Sequence, residues 1–267
     1  MNNLQDLQKT TFLDTNILHY IGIYLKYAKG KNLFPWSGQD VVKDKEAAAE
    51  NVKKVAEVDL SKSLKRGLDT VYFLSTADIQ VQYAPVSELE LLNGRAKGKA
   101  ILSAAEEGVP DRMWSRFREE EIRQRVSTAD LEKIKEGVDE LASMLEESGI
   151  AVKRNDGNQM RDVLELAKGI NGLIYMETMD SVIYASALVA QADYLFTADG
   201  YLKETVNVIC SPSGKPRYEE IREKLQVLIR RIIPGTSDDV ELPSAHMITA
   251  NGTPQPSFPV SGADASS

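Results

Sequence analysis

The chain is poor in the residues that build the commonest metal and redox centres. It has one cysteine, Cys210, so neither an internal disulfide nor a cysteine metal cluster can form within it. Two histidines, His19 and His246, are too few for a histidine-based zinc site. Bases are in deficit as well. With 32 Lys and Arg against 40 Asp and Glu, the net charge is -8, which argues against a nucleic-acid coat protein held by an overall positive field. A nuclease is not excluded, because metal-binding acids belong to that negative count. No apolar run approaches the roughly 20 residues that cross a bilayer. Residues 1–9 lack the apolar stretch of a signal peptide, so a cytoplasmic protein without a membrane partner is expected.

What remains is an ordinary globular composition, 42% hydrophobic and 27% charged over 267 residues, long enough to bury a core. Strand-like and helix-like segments alternate along it. A strand near Thr10 to Leu13 leads into a helix from about Ile17 to Tyr27, apolar at Ile17, Tyr20, Ile21, Tyr24 and Leu25. A strand near Ile79 to Ala84 precedes Pro85, and Ser87 reads as the cap of a helix carrying Glu88 and Glu90. Ser127-Thr128-Ala129-Asp130 offers a second capping sequence. Further strands are expected at Gly149–Lys153, Tyr194–Thr197 and Val206–Cys210, with helices from about Gln159, Met179 and Arg217.

This alternation predicts an α/β protein, a three-layer α/β/α arrangement around a central parallel sheet of about five strands. One domain spans residues 1–233. Helical stretches at about 41–75 and 99–148 exceed what simple crossovers need and read as insertions, the first of them exposed. From Pro234 onward the chain holds five of the ten prolines, with Ser, Gly and Asp but no Lys or Arg. Residues 234–267 are therefore expected to be a flexible tail.

The most informative segments are two short apolar strands that end in an acid: Thr11-Phe12-Leu13-Asp14 and Tyr194-Leu195-Phe196-Thr197-Ala198-Asp199. Parallel strands align their carboxyl ends along one sheet edge, where ligand crevices form. Asp14 and Asp199 would meet there. Asp180 opens an Ala- and Ser-rich helix suited to lying close to the sheet, in a first turn where the helix dipole favours an acid. Glu90 follows Ser87 by three residues. Taken singly, each acid has a plainer reading as a turn former or a helix-start residue.

In this order the segments resemble the PIN domain family of metal-dependent nucleases. The carrying motifs are Asp14-Thr15-Asn16, the Ser-x-x-Glu-Leu-x-x-Gly element from Ser87 to Gly94, the helix opening at Asp180, and Thr197-Ala198-Asp199. The resemblance covers Thr10 to Cys210 in pieces, with spacings well beyond those of the compact VapC-like toxins. It implies a catalytic and metal-ligating set of Asp14, Glu90, Asp180 and Asp199. Asn16 would orient Asp14, and Thr15 or Thr197 would touch the site. Hard Mg²⁺ or Mn²⁺ ions suit such oxygen ligands. The implied reaction is endonucleolytic hydrolysis of a phosphodiester, with RNA as the expected partner. An antitoxin or other protein partner, and a homodimer, are further possibilities.

Arg95, Lys97 and Lys99, just past Glu90, are candidate phosphate contacts. Arg112, Arg116 and Arg118, interleaved with Trp114 and Phe117, suit stacking on bases and phosphate pairing, although an amphipathic helix with a solvated charged face is the better explanation of them. His19 reads as a packed or surface residue and Asp193 as a loop residue; Glu177 is a candidate further ligand but reads better as an exposed helix-flanking acid. A phosphatase of the haloacid-dehalogenase kind would want a second acid where Asn16 stands. The competing class is a non-catalytic protein of the same fold, whose helical insertions hold RNA or a protein partner.

Overall fold

Alternation of side chains along a set of short parallel strands divides the core in two. The computed structural model describes residues 9–32, 62–76, 79–116, 119–153, 159–211, 214–233, 235–236 and 241–247. Strand β1 (Lys9–Leu13) is followed by helices α1 (Thr15–Lys31) and α2 (Lys62–Thr76), then β2 (Ile79–Gln82) and α3 (Pro85–Glu106). A 3-10 turn at Asp111–Arg116 leads to α4 (Glu119–Arg125), α5 (Thr128–Asp139), α6 (Leu141–Glu147) and β3 (Ala151–Val152). The remainder is α7 (Met160–Leu173), α8 (Thr178–Val189), β4 (Tyr194–Thr197), α9 (Gly200–Cys210), α10 (Pro216–Ile232) and β5 (Ser244–Met247).

The five strands form one parallel sheet in the order β3-β2-β1-β4-β5. Register places Thr11 beside Val81 and Tyr194, and Phe12 beside Gln82 and Leu195. Leu13, Ile79, Val81, Tyr194 and Phe196 face one core, shared with α1, α2, Leu91 of α3, Val138 of α5, and α6. Phe12, Leu195 and Ala245 face the other, against α7, α8, α9 and α10. The result is the expected three-layer α/β/α fold with a five-stranded parallel sheet. Among the described residues no helix is long and apolar enough to cross a membrane.

Four local expectations change. Residues 206–210 form the end of α9 rather than a strand, because Leu202, Val206 and Ile209 recur at helical spacing and all turn into the core. Helix α3 starts at Pro85 with Ala84 in the cap position, so Ser87 lies inside the first turn and does not cap it. Helix α2, expected to be an exposed insertion, is core: Leu68, Val71 and Leu74 are buried against α1. Its Gly67 lies so close to α1 that an added Cβ would come 2.3 Å from the Tyr20 carbonyl oxygen. Residues 33–61 of that expected insertion lie outside the described residues.

The fourth change is at the C-terminal end. Ser244–Met247 is not tail but the edge strand β5, paired along β4 from Tyr194↔Ser244 to Thr197↔Met247. Asn207 of α9 fastens it, donating to the Ala245 carbonyl at 3.0 Å and accepting from the Ala245 amide at 3.0 Å. Residues 248–267 lie outside the described residues. The 99–148 stretch is helical as expected. Ser127 and Asp130 form the capping box that opens α5, while Val138, Leu141 and Leu145 make its last part a component of the core.

Candidate functional site

Strand order puts a crevice between β1 and β4. From β1 the chain enters α1 on one face of the sheet, and from β4 it enters α9 on the other, so the two connections diverge at the carboxyl ends. Asp14 sits at that divergence, directly after β1 in the cap position of α1. Its amide donates to the Phe196 carbonyl at 2.9 Å and ties the two strands together. The side chain is 3% exposed.

Thr197, the last residue of β4, is fully buried, and its hydroxyl donates to Asp14 Oδ2 at 2.7 Å. The Thr197 hydroxyl oxygen in turn accepts from the Asp199 amide at 2.9 Å. One hydroxyl thus couples the ends of both acid-terminated strands. Asp199 caps α9, its Oδ1 accepting from the Tyr201 and Leu202 amides at 2.7 and 3.0 Å. The hydroxyl of Thr15 donates to Glu90 Oε2 and links α1 to α3. Asn16, expected to orient Asp14, is exposed, and no described hydrogen bond joins the two; Thr197 holds that carboxylate instead.

Two acids of the set, Asp14 and Asp180, have carboxyls held above the usual range. Burial pushes the Asp14 carboxyl up to about 6; the Thr197 hydroxyl and Thr15 amide oppose this, and the charges of Glu90 and Asp199 add to it. Burial also pushes Asp180, half-exposed in the first turn of α8, up to about 6, with Asp199, Asp14, Glu177 and Glu90 adding in that order. The charges of Glu90 and Asp199 therefore reach both Asp14 and Asp180, and that of Asp14 reaches Asp180. Glu177, read from sequence as a flanking acid, contributes its charge as well. The sequence favours the flanking role for it, since its effect on Asp180 depends on how the first turn of α8 is placed.

In donor chemistry this set fits a hard divalent cation, being all carboxylate oxygen with no thiol or imidazole among it. In placement, no three carboxylate, imidazole or thiol groups among the described residues converge tightly enough to hold an ion as they stand. Instead Asp14, Glu90 and Asp199 each turn to a protein donor.

The expected phosphate contacts scatter. Arg95 is half-buried between α1 and α5: an added Cβ on Gly22 would lie 2.7 Å from its Nη2, and one on Gly137 3.3 Å from its Nη1. Desolvation there holds its guanidinium pKa below the usual range, and its charge, after burial, helps lower that of His19. Lys99 pairs with Asp130 at 3.7 Å across α3 and α5. Lys97 and Arg112 are exposed, and Arg116 ends the 3-10 turn. Trp114 donates its ring N–H to the Val109 carbonyl at 3.0 Å, while Phe117 and Arg118 lie outside the described residues. Asp193 clips the opposite ends of the strands, accepting from the Thr10 amide at 2.7 Å.

A parallel three-layer α/β/α protein with acids gathered at its strand-order reversal is the class that fold and geometry define. No protein-family model matches this chain, and no curated protein or solved structure matches it significantly.

Proposed function

We propose that this protein is a divalent-metal-dependent endonuclease of the PIN kind, cytoplasmic, hydrolysing phosphodiester bonds of RNA. The observation carrying this reading is that the charges of Glu90 and Asp199 act on both Asp14 and Asp180, which burial already holds above the usual carboxylate range, so acids from four separate elements meet at the sheet's switch point. Such mutual repulsion is costly unless positive charge offsets it. Asp14, Glu90, Asp180 and Asp199 would hold Mg²⁺ or Mn²⁺. Bound there, the ion would lower the pKa of a water and offset charge on the phosphate, and hydrolysis would leave a 5′-phosphate and a 3′-hydroxyl. Thr197 would keep the Asp14 and Asp199 carboxylates in fixed relation, and Thr15 would orient Glu90.

Purified protein should cut RNA with Mg²⁺ or Mn²⁺ and stop on chelation. Asp14→Asn and Asp199→Asn should each lower the rate by at least a hundredfold while circular dichroism stays that of the wild type. Equal cleavage by these variants would assign the activity to a contaminant.

A second reading is a non-catalytic protein that binds RNA or a protein partner through its helices. What favours it is that no three metal-ligating groups among the described residues converge as they stand. Metal-independent binding without turnover would select it.

A further inference from the structure

Burial sorts the aromatic side chains of this protein sharply. Among the described residues, every Phe, Trp and Tyr is buried or half-buried except two, Tyr175 at 76% exposed and Tyr201 at 51%. An exposed tyrosine keeps its hydroxyl in water and leaves a ring face open to a partner. Each is close in the chain to an acid that acts at the crevice. Tyr201 is in the first turn of α9, its amide bonded to Asp199 Oδ1 at 2.7 Å. Tyr175 is in the connection between α7 and α8, two residues before Glu177, the cap residue of α8 whose charge acts on Asp180. Tyr201 therefore stands in the first turn of the helix that Asp199 caps, and Tyr175 in the connection leading into the helix that carries Asp180.

We infer that Tyr175 and Tyr201 are stacking platforms for the bases of a single-stranded nucleic acid on either side of the phosphate presented to the acids. This rests on the nuclease reading for the position of that phosphate, but the stacking itself needs only the rings. Every base offers a π-face to an aromatic side chain, so such a site selects unpaired strands with little sequence preference. A duplex, whose bases are stacked on one another, would have none to offer. The crevice is negatively charged, so the phosphate would approach only with a divalent cation present.

The test is binding by the full chain in Mg²⁺, read as fluorescence anisotropy of a labelled, phosphorothioate-linked oligoadenylate. Tyr175→Ala and Tyr201→Ala should each weaken binding by about 5- to 100-fold. Tyr→Phe at either position should bind within about twofold of the wild type. An abasic oligomer of the same length should bind the wild type as weakly as the Ala variants bind oligoadenylate. Wild-type binding by both Ala variants, equal affinity for the abasic oligomer, or no binding at all would overturn the inference. Ring-dependent binding without any cleavage would uphold it and sink the nuclease reading. Cleavage that is indifferent to both substitutions would do the reverse.

Discussion

Asp14 is buried beside two other acids, and burial is the larger of the influences that lift its pKa from 3.8 to about 6. Between about pH 4 and 6 the folded chain keeps a proton there that the unfolded chain has released. Folding stability therefore falls as pH rises through that window. Above it the carboxylate is charged in both states, and the full penalty, roughly 3 kcal/mol, is present. Asparagine keeps an oxygen to accept from Thr197 and turns a donor toward the neighbouring carboxylates. Asp14→Asn is thus expected to raise the thermal midpoint at pH 7.5 without divalent ions, by several degrees, and to leave it nearly unchanged at pH 4. A lower midpoint at pH 7.5 would show that Asp14 is not destabilised by its surroundings. The same substitution abolishes activity on the nuclease reading, so stability and function pull in opposite directions at one side chain.

At the scale of elements, two contacts invisible to local pattern decide which segments belong to the core. The first is the close approach of α2 to α1, where Gly67 leaves no space for a methyl group against the Tyr20 carbonyl. Gly67→Ala improves helix propensity by about 1 kcal/mol. The obstacle is backbone rather than a flexible side-chain end, so overpacking prevails and a net loss of about 1–3 kcal/mol is expected in chemical denaturation. A neutral or stabilising result would mean α2 is loosely docked. The second contact is Asn207 on the Ala245 peptide. Asn207→Ala removes both hydrogen bonds and should cost about 1–3 kcal/mol. Amide exchange should speed up in β5 well before it does in β1. Uniform exchange rates across the two strands would show that β5 needs no such fastening.

For the whole molecule, the consequence of gathering acids at a sheet edge is linkage between folding, protons and cations. A cation that binds only the folded state stabilises it by mass action. Millimolar Mn²⁺ is therefore expected to raise the thermal midpoint at pH 7.5. The rise should shrink at pH 5, where protons occupy Asp14 and Asp180, both with pKa about 6. It should vanish in the Asp14→Asn, Asp180→Asn double variant. An equal rise in that variant would place the ion elsewhere.

The layers and the candidate acids were legible in the chain because they follow from short-range rules. Phe12 and Leu13 alternate across a strand, Ile17, Ile21 and Leu25 recur along a helix, and an acid terminates each of two strands. What local pattern misjudged was wherever a partner far along the chain decided the outcome. Residues 244–247 look like a tail by composition, yet an open edge of β4 and the Asn207 amide make them a strand. Val206 and Ile209 look β-forming, but the core beneath α9 accepts them at helical spacing. Arg95 looks like a phosphate contact, and helix packing places it beside Gly22 and Gly137 instead. The hydroxyl of Thr197 joins Asp14 to Asp199 only because β1 and β4 are neighbours. Periodicity is encoded by adjacent residues, whereas pairing between distant segments depends on which surfaces remain to be covered once the sheet has formed.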